Sequence, residues 1–330
     1  MKRTLRPRIV YLTKKAAYAL ITILIVIIFN FLLFRVMPGD PARLLIPRGH
    51  NIDPALITRM RTFYGIDKPL PTQLLTYVVQ TFQLDFGYSF YYKAPVGQVI
   101  GAWLPNTLVL VGISETIAIL LGFSTGAIAG WKRGKKFDVI ATSFGLTAWS
   151  IPTFWLGVVL IMAFSVQLAI FPVGGVRTIE MNYANVFQQI QDVGMHLVLP
   201  VVTLTLVSFA EYLMIMRNSL VDVMTEDFVL TARAKGLSEQ QVLRDHVVPN
   251  ALLPSVTTIA IALGFIVGGA LQTEIIFSYP GIGMLTYMAI EFRDYALLQA
   301  LFFIDAVLVI LANFAADIVY TYIDPRVKLQ

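Results

Sequence analysis

Long apolar runs separate short polar ones along this chain, and their lengths decide its class. A helix needs roughly 20 mostly apolar residues to cross the hydrocarbon core of a bilayer. Residues 16–36 meet that length, and Ile25–Phe29 leave no polar face on any side of a helix. Further runs lie at 107–130, 139–170, 195–216, 251–276 and 296–320. The run 139–170 is longer than a bilayer needs, so it is expected to tilt or to end in an interfacial segment. Pro152 lies inside it and predicts a kink. The first run is too long for a signal sequence and no small-residue cleavage site follows, so it reads as a retained first helix. The pattern predicts an all-α membrane protein of about six transmembrane helices.

The polar segments set the expected orientation, because Lys and Arg collect on the cytoplasmic side. Six basic residues and no acid precede or open the first run: Lys2, Arg3, Arg6, Arg8, Lys14 and Lys15. The short segment 131–138 has four: Lys132, Arg133, Lys135 and Lys136. The segments 172–194 and 277–295 have one each, Arg177 and Arg293. Both termini are therefore expected inside. Segment 37–104 also holds six basic residues, but long loops cross largely regardless of charge. It is expected to form an outward-facing cap, with short helices at 53–64 and 74–82 and a turn at 65–69. This divides the chain into residues 1–104, first helix and cap, and residues 105–330, the transmembrane core.

Residues 217–250 are too polar to span and too patterned for a linker. Thr225 followed by Glu226 and Asp227 reads as the start of a helix, with acids near the positive end of its dipole. Gly236 sits where a glycine closes a helix. Ser238-Glu239-Gln240-Gln241 is a capping-box pattern that opens a second helix, which Pro249 limits. The prediction is a helix–glycine turn–helix projecting into the cytoplasm, suited to docking a protein; the plainer alternative is a solvated connector.

Composition agrees with a lipid-wrapped waist. Only 14% of residues are charged and the mean hydropathy is +0.73, against about 25% charged for soluble domains. The net charge of +5 suits anionic lipid, not nucleic acid, since the basic residues flank the apolar runs. There is no cysteine, and His50, His196 and His246 are far apart, so no metal motif is visible. Gly130–Lys136 superficially resembles a phosphate-binding loop. It is one residue short between glycines, lacks the Ser/Thr and follows a span in place of a strand. No nucleophile–base or paired-carboxylate constellation is visible. The chain is not expected to be an enzyme or to hold a cofactor.

Acids inside a membrane are functional candidates. Glu115, Glu211, Glu274 and Asp305 fall within or near the apolar runs. They suit a proton relay in an ion-coupled secondary transporter, a water-filled pathway, or hydrogen bonds between helices. Pro152 and Phe154 are candidates to line a pathway or to pack at a kink. Gly264 and Gly268, with Gly269 beside them, have the spacing that lets helices approach closely.

Several stretches in order resemble one family. Thr231-Ala232-Arg233-Ala234-Lys235-Gly236-Leu237-Ser238, then His246-Val247-Val248-Pro249-Asn250-Ala251-Leu252-Leu253-Pro254, is similar to the "EAA" loop of ABC importer permeases. Anchored on Gly236, the pattern's proline falls on Pro249. Leu230, Thr231, His246 and Val248 depart from the general pattern and resemble its dipeptide/oligopeptide/nickel branch. Met37–Pro41, Tyr64–Pro71, Asp85–Ser89, Leu104–Thr107, Phe277–Gly283 and Arg293–Tyr295 match that branch too. The resemblance implies the type I ABC importer permease fold. It implies a subunit that pairs with a homologous second permease, two ATPase subunits carrying ATP and Mg, and an extracytoplasmic substrate-binding protein. Coupling to the ATPases would fall on Ala232, Arg233, Ala234, Lys235, Gly236, Leu237 and Glu239, with Glu274 and Phe277 near a gate. Cargo stays open among peptides, oligosaccharides and nickel chelates, with peptides the commonest in the branch. A secondary transporter or a receptor-like membrane protein remains the alternative of another class.

Overall fold

The computed structural model describes residues 5–36, 67–252, 258–259 and 270–323. Helix α1 (Leu5–Val36) leads to α2 (Leu70–Phe82), then to a two-stranded hairpin, β1 (Tyr88–Ser89) and β2 (Ala94–Pro95). Helix α3 (Val96–Trp131) is followed by α4 (Lys136–Ser150) and α5 (Thr153–Leu160), the latter continuing as a π-helical turn over Ile161–Gln167. Helix α6 (Val186–Val223) leads into α7 (Asp227–Ala234) and α8, which comprises Glu239–Gln241, a π turn Val242–Val247, and Val248–Ala251. Then come α9 (Leu271–Ile276), α10 (Ile282–Glu291) and α11 (Tyr295–Ile323). Among the described residues four helices are long and apolar enough to span, and the bent pair α4–α5 can supply a fifth. The expected run 251–276 lies mostly outside the described residues, as do the expected helix 53–64, the Met37–Pro41 motif and Gly264, Gly268 and Gly269.

Helices α3 and α6 form the central pair. Gly122, Gly126 and Gly130 of α3 face α6, where an added Cβ would stand 2.5–2.9 Å from Tyr212 Cβ, the Leu213 carbonyl and the Arg217 carbonyl. Such contact is possible only for residues without side chains. Helix α1 packs along α11, and Lys15 Nζ meets Asp317 at 3.0 Å near the end that carries the basic segment 132–136. That end is called the basic end below, and the opposite one the far end.

Several expectations need correcting. The all-α expectation stands, with one addition: a hairpin of two-residue strands that pair Tyr88 with Pro95 and Ser89 with Ala94. The second span begins at Val96, not near Thr107, because Val96, Val99 and Ile100 are buried against Ile282, Leu285 and Leu297. At Pro152 the expected kink is a break: α4 and α5–π are bent by 97°. Ile151 is extended (ψ 126°) ahead of the proline, as the proline ring requires. Helix α6 runs well beyond 195–216. Asn185 caps it, its side chain accepting from Gln188 N at 2.9 Å. The last outer segment, expected as a loop, contains α10.

Candidate functional site

The basic end carries a small two-helix platform. Glu226, not Thr225, is the N-cap of α7. Thr225 instead donates its hydroxyl back to the Asp222 carbonyl at 2.7 Å. At the other end of α7 the Gly236 amide donates to Arg233 O (2.9 Å) and the Leu237 amide to Ala232 O (3.4 Å), the double closure of a Schellman motif. Gly236 has φ +80°, with open space where a Cβ would be. Glycine is there for backbone freedom alone. The capping box is formed in full: Gln241 N donates to Ser238 Oγ (3.4 Å) and Ser238 N to Gln241 Oε1 (2.9 Å). Pro249 does not stop α8. The Val248 amide bonds to Leu243 O, five residues back, and this π register makes room for the proline inside a continuous helix.

Val229 and Ala232 of α7 and Val242, Val247 and Ala251 of α8 are buried with Met216 and Leu220 of α6, and Leu237 packs at the edge. Ser219 Oγ donates to Ala251 O at 2.8 Å. The platform is thus rooted on the last turns of α6. Arg233 holds Glu239 through two bonds of 3.0 and 3.2 Å across the glycine turn. Both are exposed, so this pair sets geometry more than stability. Phe228, Leu230, Ala234 and Lys235 point outward. The hydrogen bond from Arg244 holds the Asp245 carboxyl below its ordinary range.

At the far end Glu274 is fully buried. Its Oε1 accepts from Thr107 Oγ1 (2.9 Å) and its Oε2 from Met284 N (2.9 Å). Thr107 Oγ1 in turn accepts from Ile282 N at 2.7 Å. The carboxylate therefore sits at the N-terminus of α10, where unpaired amides and the dipole favour an anion. A Cβ on Gly281 would collide with both Glu274 and Thr107. Phe277, 1% exposed, lies beside Tyr279 in a core with Leu110, Leu197 and Leu199. The seat joins α3, α9 and α10. Nearby, Asp294 Oδ2 accepts from Ser89 Oγ (2.5 Å) and Tyr91 N (3.3 Å), while its Oδ1 accepts from Leu297 N (3.2 Å). One acid thus ties the hairpin to the start of α11. Burial pushes the neighbouring Tyr92 hydroxyl up to about 12.

Of the other candidate acids, Glu115 and Glu211 lie close enough for their charges to interact, both beside Tyr212, while Asp305 is not brought to them. Glu115 accepts from Ser208 Oγ (2.9 Å) and Tyr212 OH (2.6 Å) of α6, as polar glue between two helices. Glu211 is exposed on α6. Asp305 is half-buried on α11, and its Oδ1 finds no hydrogen-bond partner among the described residues. Pro152 precedes the first turn of α5, and Phe154 and Trp155 are each about half exposed. Among the described residues no group of three or more His, Asp or Glu could hold a metal. One pair escaped the sequence reading: Arg217 of α6 and Asp138 of α4, joined by bonds of 2.6 and 2.8 Å. The lone acid in a basic segment and the lone arginine closing a long span were the available signals.

Comparison with known proteins places these features in a family. Residues 118–329 match the family model described as "Binding-protein-dependent transport system inner membrane component", and residues 8–111 match the N-terminal model of the same systems. The oligopeptide transport system permease protein AppB of Bacillus subtilis (strain 168) is 34% identical over 319 residues, covering 96% of this chain and 99% of that protein. The glutathione transport system permease protein GsiC of Salmonella choleraesuis (strain SC-B67) is 34% identical over 320 residues, covering 97% and 99%. A chain of the inward-facing MetNI methionine ABC transporter has a similar fold, with TM-score 0.54 and 20% identity over 69% of this chain and 97% of that one. The glycine-closed platform and the buried far-end seat thus belong to a multi-pass, helical membrane chain that is a member of the binding-protein-dependent transport system inner membrane component family, the permease component of ABC importers.

Proposed function

We propose that this permease forms half of the translocation pathway of an ATP-driven importer of oligopeptides or dipeptides. It would sit in the cell (inner or plasma) membrane with six spans and both termini cytoplasmic, the basic end facing the cytoplasm. Residues 1–104 would supply the first helix and an outer cap, and residues 105–330 the core. A homologous second permease completes the pathway, two ATPase subunits bind ATP and Mg below, and an extracytoplasmic binding protein delivers cargo above. The observation that carries this reading is the platform itself: two short helices locked at Gly236, rooted on α6, with an outward face of Phe228, Leu230, Ala234 and Lys235. Such an apolar, lightly charged face suits a protein partner. Ala232 and Leu237 hold the platform together, Arg233 and Glu239 fix its turn, and Ala234, Lys235 and Gly236 lie at the contact. Glu115, Pro152, Phe154, Glu211, Glu274, Phe277 and Asp305 are assigned to the pathway or to the gate that frames it. The peptide assignment follows the oligopeptide and glutathione permeases it resembles.

The test is reconstitution of the chain with its partners in proteoliposomes. ATP-driven uptake of a radiolabelled casein digest is expected. Gly236→Pro forces φ from +80° to about −65° and is expected to leave membrane insertion intact while uncoupling hydrolysis from uptake. Parental uptake and stimulated ATPase activity in that variant would overturn the coupling role. Uptake driven by an ion gradient without ATPases would overturn the importer reading.

A further inference from the structure

We propose that the Asp138–Arg217 pair is the joint through which displacement of the α7–α8 platform is carried into the broken span α4–α5. The inference rests on the importer reading above. Arg217 lies on α6 one turn from Leu220 and next to Met216, the residues on which the platform is rooted. Its Nε donates to Asp138 Oδ1 at 2.6 Å and its Nη2 to Oδ2 at 2.8 Å. Asp138 is 3% exposed and also accepts from Gly134 N at 2.9 Å.

Two parallel charge-assisted bonds fix orientation as well as distance. Pulling them apart would cost both of these bonds and leave Asp138 with the Gly134 amide as its remaining donor among the described residues. The first turn of α4 therefore stays with the end of α6 in every state of the cycle. The mid-rod contact of α4 with α6 is of another kind: a Cβ on Gly145 would only just reach Ala210, at 3.6 Å, and Phe144 rests edge-on against Phe209. Apolar contacts of that kind have no preferred direction and can slide, whereas the paired charge-assisted bonds hold one.

At its other end α4 is free to pivot. Ile151 and Pro152 are both extended, with ψ 126° and 130°, and Pro152 offers no amide to carry the helix across. Helix α4 is thus a rod of 15 residues, about 22 Å long, pinned at the platform root and hinged at the 97° break. A push on the platform moves the pinned end. The break, with Pro152 and Phe154 beyond it, swings in response. Asp138 and Arg217 are positioning residues in this scheme and touch no cargo.

The experiment uses the complete complex with its partner subunits in nanodiscs and proteoliposomes. The chain has no cysteine, so Ser150→Cys and Tyr287→Cys allow paired spin labels on exposed sites at the end of α4 and on α10. In the parent the distance between labels is expected to shift between nucleotide-free and ATP-trapped states. In Asp138→Asn the ATPases should still co-purify and hydrolyse ATP, the shift should be lost, and casein-digest uptake per ATP should fall about fivefold or more. Arg217→Lys keeps the charge but not the fork and should move both readouts in the same direction by less. Parental uptake per ATP in Asp138→Asn, or a retained label shift, overturns the joint. So does loss of hydrolysis and uptake in equal proportion, or failure of both variants to assemble, because the pair is then a folding element only. A parent complex with no ATP-driven uptake overturns the importer reading itself, and the joint with it.

Discussion

The backbone contact of α3 with α6 supplies a graded test of the fold. A Cβ on Gly126 would stand 2.5 Å from the Leu213 carbonyl oxygen, 3.0 Å from Met216 Cβ and 3.2 Å from the Arg217 amide. Carbon–oxygen contacts are comfortable from about 3.3 Å, so Gly126→Ala must part α3 and α6 locally by about 0.8 Å. The obstacle is backbone and cannot rotate away. Overpacking of this kind costs about 1–3 kcal/mol, while alanine gains about 1 kcal/mol over glycine from helix propensity. Gly145→Ala separates the two effects. Its Cβ would meet Ala210 at 3.6 Å, ordinary contact, so only the propensity gain remains. The gain cancels in the comparison, and Gly126→Ala should be less stable than Gly145→Ala by about 1–3 kcal/mol. Gly130→Ala, whose nearest backbone atom is at 2.9 Å, should fall between them. Reversible unfolding by SDS titration in mixed micelles measures the order. Equal stability of the Gly126 and Gly145 variants would refute close packing of α3 on α6.

Two further outcomes follow from the far end. Glu274→Ala leaves the Thr107 hydroxyl and the Met284 amide without their acceptor, and should destabilise by about 2–4 kcal/mol. Glu274→Gln should be intermediate, because Thr107 is already committed to accepting from Ile282 N and an amide can satisfy only one of the two donors; the same SDS titration decides. Asp294→Ala removes a cap worth about 1 kcal/mol and the partner of the buried Ser89 hydroxyl. Limited proteolysis within 88–95 should accelerate, and Asp294→Asn should recover only part of the resistance, because its one amide oxygen cannot both cap Leu297 N and accept from Ser89 and Tyr91.

What the amino-acid order discloses depends on how local the cause is. The platform was legible because its signals are short-range: Gly236 needs a left-handed backbone and Ser238 with Gln241 needs only three residues to close a box. Even there local reading misassigned Thr225, whose hydroxyl competes for a carbonyl of the preceding turn. The full length of α6 was hidden because its first turns carry Gln188, Gln189, Gln191 and Asp192, which break an apolar run without breaking a helix. Asp138 and Arg217 are 79 residues apart in sequence, and Glu274 meets Thr107 across 167. Nothing in composition or period joins such pairs. Gly264 and Gly268 lie outside the described residues, and the close approach within them uses 122, 126 and 130, glycines at the same spacing that the sequence reading passed over. Spacing of four marks a surface fit for contact and cannot say which helix meets it.

These contacts constrain how any motion at the platform can reach the far end. Helix α6 runs as a single element from Val186 to Val223, with Pro200 inside it leaving one helical hydrogen bond unmade. It roots the platform through Met216 and Leu220, touches α3 backbone to backbone between Phe209 and Arg217, and supplies Leu197, Leu199 and Val201, around Pro200, to the core near Phe277. A helix held by its own hydrogen bonds does not shorten, and glycine-to-backbone contact leaves no slack for α6 to slide on α3 without separating from it. The α3–α6 pair therefore moves as one body. Compliance is left to places where helical hydrogen bonding lapses, and the 97° break between Ser150 and Thr153 is the sharpest of these in the described residues. A platform displaced by a partner would then turn the α3–α6 body as a whole and bend the chain at Ile151–Pro152, so the far-end seat around Glu274 is carried along intact and is not pulled apart.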